Sequence, residues 1–300
     1  MKCPVCGSSA TEFLIKSAPQ QVVGNATVYT IQKCCGCGCA FALPRPSLDE
    51  VEQCYDADFF ATSQQDIEFN EKGRTASDAP VYLNGMYRLR HIRSFMANGR
   101  LLDIGCGKGA FLKLASDHFE VTGSELSPVA AAFCTDRLGL HVHQGDFLAS
   151  DLSPKPFDMV TMWDSLGGFS NPGKCVDTIG DLLRPGGILA FTVPDIESIM
   201  FRITRQRWPL LIPPVNVTYF SRRAVHAILE SRGFQVVSCG HPGKYVSVNF
   251  ILRKLGRIFN APSLDREGVG LPFVKNLYLN LLDIMTVVAV KTEKPDRNYA

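Results

Sequence analysis

The sequence has no long apolar run. Its most apolar stretch near the C-terminus, Phe273 to Val290, is broken by Lys275, Asn276, Asn280 and Asp283, so no membrane-spanning helix is expected there. It also lacks charge of one sign. The formal net charge is +2, too mild for the basic face that nucleic-acid binding requires. The opening residues, Met1-Lys2-Cys3-Pro4-Val5-Cys6, contain no apolar core of a secretory signal. There are no internal repeats and no low-complexity tracts, which sets aside solenoid and disordered classes. A reducing, cytoplasmic setting without a membrane partner is the expectation.

What is present is an ordinary globular composition with one anomaly. Hydrophobic residues make up 46% of the 300 positions, enough for a sizeable core and for one large domain plus a small module. The anomaly is cysteine. Of 11 cysteines, Cys3, Cys6, Cys34, Cys35, Cys37 and Cys39 all fall at the N-terminus, and the count is odd. In a reducing compartment that clustering favours metal over disulfides. Cys3-x2-Cys6-Gly7 and Cys34-x2-Cys37-Gly38 are two knuckles separated by 27 residues. Each pair can wrap one face of a metal, and the glycine relieves the turn that follows. Four thiolates satisfy tetrahedral Zn²⁺ and leave no position for water, so Cys3, Cys6, Cys34 and Cys37 are expected to hold a structural zinc. Cys35 and Cys39 fall out of register with the glycines and are read as non-ligands.

Along the chain, residues 1–46 read as the metal module, 47–79 as a helical linker and 80–300 as the main domain. Within that domain helix-period and strand-like segments alternate. Helices are expected at 82–97, 109–117, 128–138, 174–183 and 221–232. Strands are expected at 100–104, 119–124, 141–144, 157–163, 187–193, 234–239 and 284–291. Such alternation builds βαβ units and an α/β doubly wound, mostly parallel sheet. The segment 195–220, which carries Arg202, Arg205 and Arg207, is long enough to be a substrate lid.

The densest chemical signal is Leu101-Leu102-Asp103-Ile104-Gly105-Cys106-Gly107-Lys108-Gly109-Ala110, a strand, a glycine turn and a helix start. Glycines let a ligand approach the backbone, and the helix N-terminus offers free N–H groups. The string also fits G-x-G-x-x-A, with Glu125 20 residues past Gly105, as a nicotinamide-binding oxidoreductase would have. Asp103 speaks otherwise. A carboxylate two residues before the first glycine repels a pyrophosphate but suits a ligand bearing an ammonium and a sulfonium. Asp146 and Phe147, after the third strand, could serve the amino group and the face of an adenine.

The order Leu-Asp-Ile-Gly-Cys-Gly-x-Gly, Gly123-Ser124-Glu125-Leu126-Ser127-Pro128, Asp146, Phe157-Asp158-Met159-Val160 and Leu183-Arg184-Pro185-Gly186-Gly187 resembles class I S-adenosylmethionine-dependent methyltransferases over residues 80–300. The resemblance implies a Rossmann-like sheet of seven strands with the last antiparallel. It implies S-adenosylmethionine as cofactor, with Asp103, Gly105, Gly107 and Gly109 lining the methionine moiety. Glu125, followed by Leu126, would take the ribose, Asp146 and Phe147 the adenine, and Trp163 would flank the methionine end. The N-terminal knuckles with Pro44-Arg45-Pro46-Ser47 and Tyr55 to Phe60 further resemble a bacterial zinc-ribbon subfamily associated with glycan or natural-product modification. That resemblance implies a small-molecule or glycan acceptor. Two departures stand out: a Glu-His pair usual after the fourth strand is Gly167-Gly168 here, and a His usual before Tyr219-Phe220-Ser221 is Asn216.

Methyl transfer by in-line displacement needs positioning, worth roughly 7–11 kcal/mol, and a base only when the nucleophile keeps its proton. Asp164 and His241 are the candidates for that base. The sequence after the fourth strand, Trp163-Asp164-Ser165-Leu166, is not the Asn/Asp-Pro-Pro-aromatic motif of amino-methylating nucleic-acid enzymes, and no Pro-Cys pair occurs. Rival readings are an rRNA base methyltransferase with a zinc module, the oxidoreductase, and a scaffold without turnover.

Overall fold

The computed structural model describes residues 2–17, 27–55, 79–152, 155–248, 251–252 and 276–292. Most of the expected linker, including Gly73-Arg74-Thr75, and the stretch from Asp56 to Phe60 lie outside the described residues.

The main sheet has seven strands. Five are parallel: β4 (Arg100–Ile104), β5 (Glu120–Glu125), β6 (Val142–Gln144), β7 (Phe157–Met162) and β8 (Leu183–Pro194). With β10 (Phe234–Gly240) and β13 (Ile284–Lys291), the order is β10-β13-β8-β7-β4-β5-β6. The last strand, β13, runs antiparallel to both neighbours. This is the expected seven-stranded, mostly parallel sheet. Its central strands read as continuous apolar runs because both faces are covered, and Leu101, Leu102, Met159, Val160 and Leu189 are fully buried.

The helices between strands are α2 (Pro80–Arg93), α3 (Ala110–Ala115), α4 (Pro128–Leu138), α5 (Pro172–Leu182) and α7 (Arg222–Glu230); α1 (Leu48–Gln53) precedes them and α6 (Ile199–Thr204) follows β8. Local chemistry sets their ends. Ser127, Asn171 and Ser221 cap their helices through the side chain, and proline occupies the first turn of α2, α4 and α5. Helix α2 stops at Arg93, short of the expected residue 97.

The N-terminal cysteine region forms an antiparallel sheet, β1 (Thr11–Lys16), β2 (Thr30–Cys34) and β3 (Ala40–Leu43). A fourth strand comes from elsewhere: β9 (Thr218–Tyr219) pairs with β3, Ala40 facing Tyr219 and Phe41 facing Thr218. A second apolar cluster unites the two regions, with Ile15, Tyr29, Ile31 and Ala42 packed with Trp208, Leu211, Val217 and Tyr219. Trp208 is 1% exposed, and its indole N–H donates to Asp283 Oδ2 at 3.3 Å. Most apolar side chains of 208–220 are therefore buried against the cysteine region. Arg202, Arg205 and Arg207 remain on the surface. Patterning did not signal α6, β9 or the hairpin of β11 (Lys244–Ser247) with β12 (Asn276–Leu279), because each is short. No helix among the described residues is long and apolar enough to cross a membrane.

Candidate active site and metal centre

A cavity of about 670 Å³ opens at the carboxyl ends of β4, β5 and β7, where open α/β sheets hold ligands. One end is made by the glycine turn and the strand ends beside it. Gly105, Gly107, Glu125, Leu126, Asp146 and Phe147 line it. Gly105, Gly107 and Gly109 all have positive φ, a backbone that L side chains resist, so these three positions of the turn favour glycine. A Cβ on Gly105 would come within 2.7 Å of Ser165 Cβ, which fixes how closely the turn packs under β7's extension.

Glu125 is the anchor of this end. Its Oε2 accepts from Gly107 N at 2.8 Å and its Oε1 from Ser127 N at 2.9 Å. Burial raises its pKa, and the backbone donors, led by Ser127, oppose that rise. Asp146 Oδ1 accepts from Leu148 N at 3.0 Å and so caps a short helical turn; Phe147 is buried beside it and meets Phe169 edge-on. Asp103 and Gly109 stand behind this wall and are not among the cavity-lining residues. Asp103 accepts from Thr161 Oγ1 at 2.7 Å, and burial pushes its carboxyl up to about 7. Gly109 faces α4, where an added Cβ would meet Cys134 Sγ at 2.8 Å.

The other end is built from distant pieces. Trp163 is 8% exposed, meets Phe111 edge-on and carries the Arg88 guanidinium over its ring at 5.0 Å. Asp164 has φ 61, rare for a residue with a side chain. Its Oδ2 pairs with Arg88 Nη2 at 2.6 Å and its Oδ1 accepts from Thr192 Oγ1 at 2.9 Å. Its side chain is half exposed, and Arg88 and then Lys244 hold the Asp164 carboxyl below its ordinary value against partial desolvation. Asn84, Arg88 and Lys244 also line the cavity, as does Lys174 on α5, and the sequence reading singled out none of them. Nor did it foresee that Pro46, Leu48, Val51 and Tyr55, just after the cysteine region, also line the cavity. Ser127 Oγ donates to the Tyr55 carbonyl at 2.8 Å, which ties that segment beside Glu125.

His241 lies elsewhere. Its Nε2 is 2.8 Å from Asp195 Oδ2, and it does not line the cavity. The glycine pair after β7 has a packing reason: a Cβ on Gly168 would come within 2.8 Å of the Val215 carbonyl, and one on Gly167 within 3.1 Å of the Thr218 carbonyl. Asn216 donates to the Leu210 carbonyl at 3.1 Å.

The four knuckle cysteines converge. The sulfurs of Cys3, Cys6, Cys34 and Cys37 all lie within 4.8 Å of one another, with Cys3–Cys37 at 3.7 Å and Cys6–Cys34 at 3.6 Å. A tetrahedron with Zn–S bonds near 2.3 Å has edges of about 3.8 Å, so these four sulfurs fit zinc.

With this geometry in place, the comparisons decide the family. Residues 82–239, more than half of the chain, match the family described as Methyltransferase domain. The chain belongs to that methyltransferase-domain family. It is 32% identical over 136 residues to the malonyl-[acyl-carrier protein] O-methyltransferase of Enterobacter lignolyticus, covering 44% of this chain and 53% of that one. It is 27% identical over 154 residues to the ubiquinone biosynthesis O-methyltransferase of Paraburkholderia phymatum, covering 48% and 66%. The matched portion is thus less than two thirds of either relative's length. Among solved structures, a SAM-dependent methyltransferase from Archaeoglobus fulgidus superposes with a TM-score of 0.50 at 19% identity, over 70% of this chain and 94% of the other. The [4+2]-cyclase SpnF superposes with a TM-score of 0.52 at 18% identity, over 84% of this chain and 99% of the other. At such identities the methyltransferase-domain fold is what is shared, and chemistry has to be argued from the site.

Proposed function

We propose that the protein transfers a methyl group from S-adenosylmethionine to an oxygen of a small-molecule or glycan acceptor. Family membership supports the donor, and the two curated relatives, both named O-methyltransferases, support oxygen as the atom modified. The observation that carries the reading is Glu125. It lies on the cavity surface at the carboxyl end of β5, braced by the N–H of Gly107 from the glycine turn.

In this reading Glu125 accepts the ribose hydroxyls and Asp146 the adenine amino group, while Phe147 and Leu126 cover the ring. Gly105 and Gly107 present backbone to the methionine portion, and Trp163 closes its far side. Asp103, behind the turn, supplies negative potential toward the ligand's cationic end. S-adenosylmethionine, when bound, provides a methyl on a sulfonium, and the neutral thioether that departs needs no acid. The protein's own work is alignment and exclusion of water. Asp164 can orient an acceptor but is already held by Arg88 and Thr192, and His241 stands apart from the cavity. We further propose that Cys3, Cys6, Cys34 and Cys37 hold one structural zinc, supported by the fit of their sulfur spacing. With all four ligands from the chain it would supply folding energy and no catalysis.

Titration calorimetry with S-adenosylhomocysteine tests the donor assignment. Binding of one equivalent is expected, and saturation by NADH with no response to the adenosyl thioether would overturn it.

A further inference from the structure

One cation stands between the cysteine region and the main domain. Arg45 follows β3, and its guanidinium lies over the Phe41 ring at 5.1 Å. Phe41 shares a buried cluster with Cys3, Cys34, Cys37 and Cys39. Arg45 Nη1 donates to the Val217 carbonyl and to Thr218 Oγ1, each at 3.3 Å. Its Nη2 is sealed from solvent and, among the described residues, has no hydrogen-bond partner. No described carboxylate pairs with the guanidinium. Burial works against the Arg45 charge, and Cys39 and Cys3 are the first groups to oppose that loss. A desolvated cation is costly unless a negative charge stands close. Four thiolates around Zn²⁺ carry a net double negative charge, and a charge of that size dominates its surroundings.

The main domain also meets the second knuckle through backbone. Ser221, fully buried at the head of α7, donates from Oγ to the Cys37 carbonyl at 2.7 Å and accepts from Ala224 N at 3.0 Å. Gly38 presses against it, and a Cβ there would stand 3.0 Å from Ser221 Oγ. The positive end of α7 thus lies at the knuckle. Val217 is where the two regions join. Its carbonyl accepts from Ala42 N at 2.9 Å as well as from Arg45, and its own N–H donates to the Gly167 carbonyl at 2.8 Å. Gly168 and Val215 line the cavity. A line of contacts therefore runs from the cysteines through Phe41 and Arg45 to Val217 and the Gly167–Gly168 turn.

We infer that Arg45 is the counter-charge of the loaded metal centre and the positioning residue that passes metal occupancy to the cavity wall. The inference rests on the zinc assignment above. With metal bound, the thiolate cluster draws the guanidinium inward and holds it on Val217 and Thr218. Without metal the thiols take up protons and the attraction is lost. A solvated arginine then becomes the better state, and β9 and the turn loosen.

The test uses the full chain. Metal content by plasma mass spectrometry comes first; no zinc would sink the metal reading itself, and this inference with it. Arg45→Met keeps an apolar stem and removes the charge, whereas Arg45→Lys keeps the charge. Zinc transfer to 4-(2-pyridylazo)resorcinol should be at least about tenfold faster from Arg45→Met than from the parent, and within about threefold of the parent from Arg45→Lys. Hydrogen exchange reads the wall. Metal removal from the parent should speed amide exchange over 215–219 and 167–168 at least about fivefold. Zinc-loaded Arg45→Met should show part of that increase while 30–34 stays protected. The inference is overturned if Arg45→Met releases zinc at the parent's rate, or if its loaded form exchanges over 215–219 as the parent does. Arg45→Lys releasing zinc as fast as Arg45→Met overturns it too, since packing and not charge would then be at work. So does a metal-free parent that exchanges over 215–219 like the loaded one, a measurement that stands even if Arg45→Met fails to fold.

Discussion

The two ends of the cavity are made in opposite ways. The end proposed for the donor is made at the tips of three neighbouring strands and is largely backbone: a glycine turn, the carboxylate that braces it and a short capped turn. The other end joins α2, the extension of β7, β8 and β11 through side chains, and its geometry depends on Thr192, Asp164, Arg88 and Trp163 holding one another. A rigid backbone cradle suits a ligand common to a whole family. A corner made of side chains on separate elements can change without disturbing the sheet, and that is where acceptor choice can vary.

The sharpest way to break this contrast is through the metal. The cavity has a third side, Pro46, Leu48, Val51 and Tyr55, delivered by the segment that follows the cysteine region. One zinc per chain is expected by plasma mass spectrometry. Its removal by chelation should lower the thermal midpoint by about 10 °C or more and weaken S-adenosylhomocysteine binding in parallel. Donor affinity unchanged in metal-free protein would show that the third side is dispensable.

Asp103 separates the two ends by pH. Its folded-state pKa is raised to about 7 by burial, against which Thr161 and Arg88 work only in part. A raised carboxyl means that the native state binds the extra proton, so its contribution to stability is lost as pH climbs from about 4 to 7. Asp103→Asn should remove that slope and, at pH 8, be more stable than the parent by roughly 2–4 kcal/mol without ligand. With a cationic donor bound the advantage should shrink, because the ligand then compensates the charge. Thermal midpoints across pH, with and without S-adenosylmethionine, read both effects.

Glu125→Ala should cost the donor about 10- to 100-fold in affinity, the loss of charge-assisted bonds worth roughly 1.5–3 kcal/mol. Calorimetry with S-adenosylhomocysteine checks the loss. The smallest effect expected is at Gly168, on the cavity surface. Gly168→Ala drives a methyl against the Val215 carbonyl and should destabilise by about 1–3 kcal/mol in denaturant unfolding. A neutral outcome would mean that the Gly-Gly turn can yield, and that a larger side chain could be restored there.

The same contrast explains what was legible in the sequence. The seven-stranded sheet could be read because long apolar strands alternate with capped helices; β4, α4 and β13 have the expected bounds of 100–104, 128–138 and 284–291. The glycine turn and Glu125 could be read because their chemistry is local. Arg88 and Lys244 could not, since an arginine inside a helix and a lysine in a four-residue strand look like solvated surface until the fold turns both toward Asp164. Asp103 was legible as unusual, but its depth behind the turn was not, because that depends on Thr161 one strand away. Trp208 and Tyr219 gave no hint that they belong with the cysteine region, because β9 is two residues long and its partner lies far earlier in the chain.

That partner has a consequence for how the chain matures. Since Ala40 pairs with Tyr219, the small sheet keeps an open edge on β3 until the polypeptide has been made through Tyr219. During synthesis the cysteines emerge first, yet the surface that covers them emerges much later. Metal capture by the nascent chain would be an early event and docking a late one, leaving in between an exposed strand that a chaperone or a neighbouring nascent chain can reach.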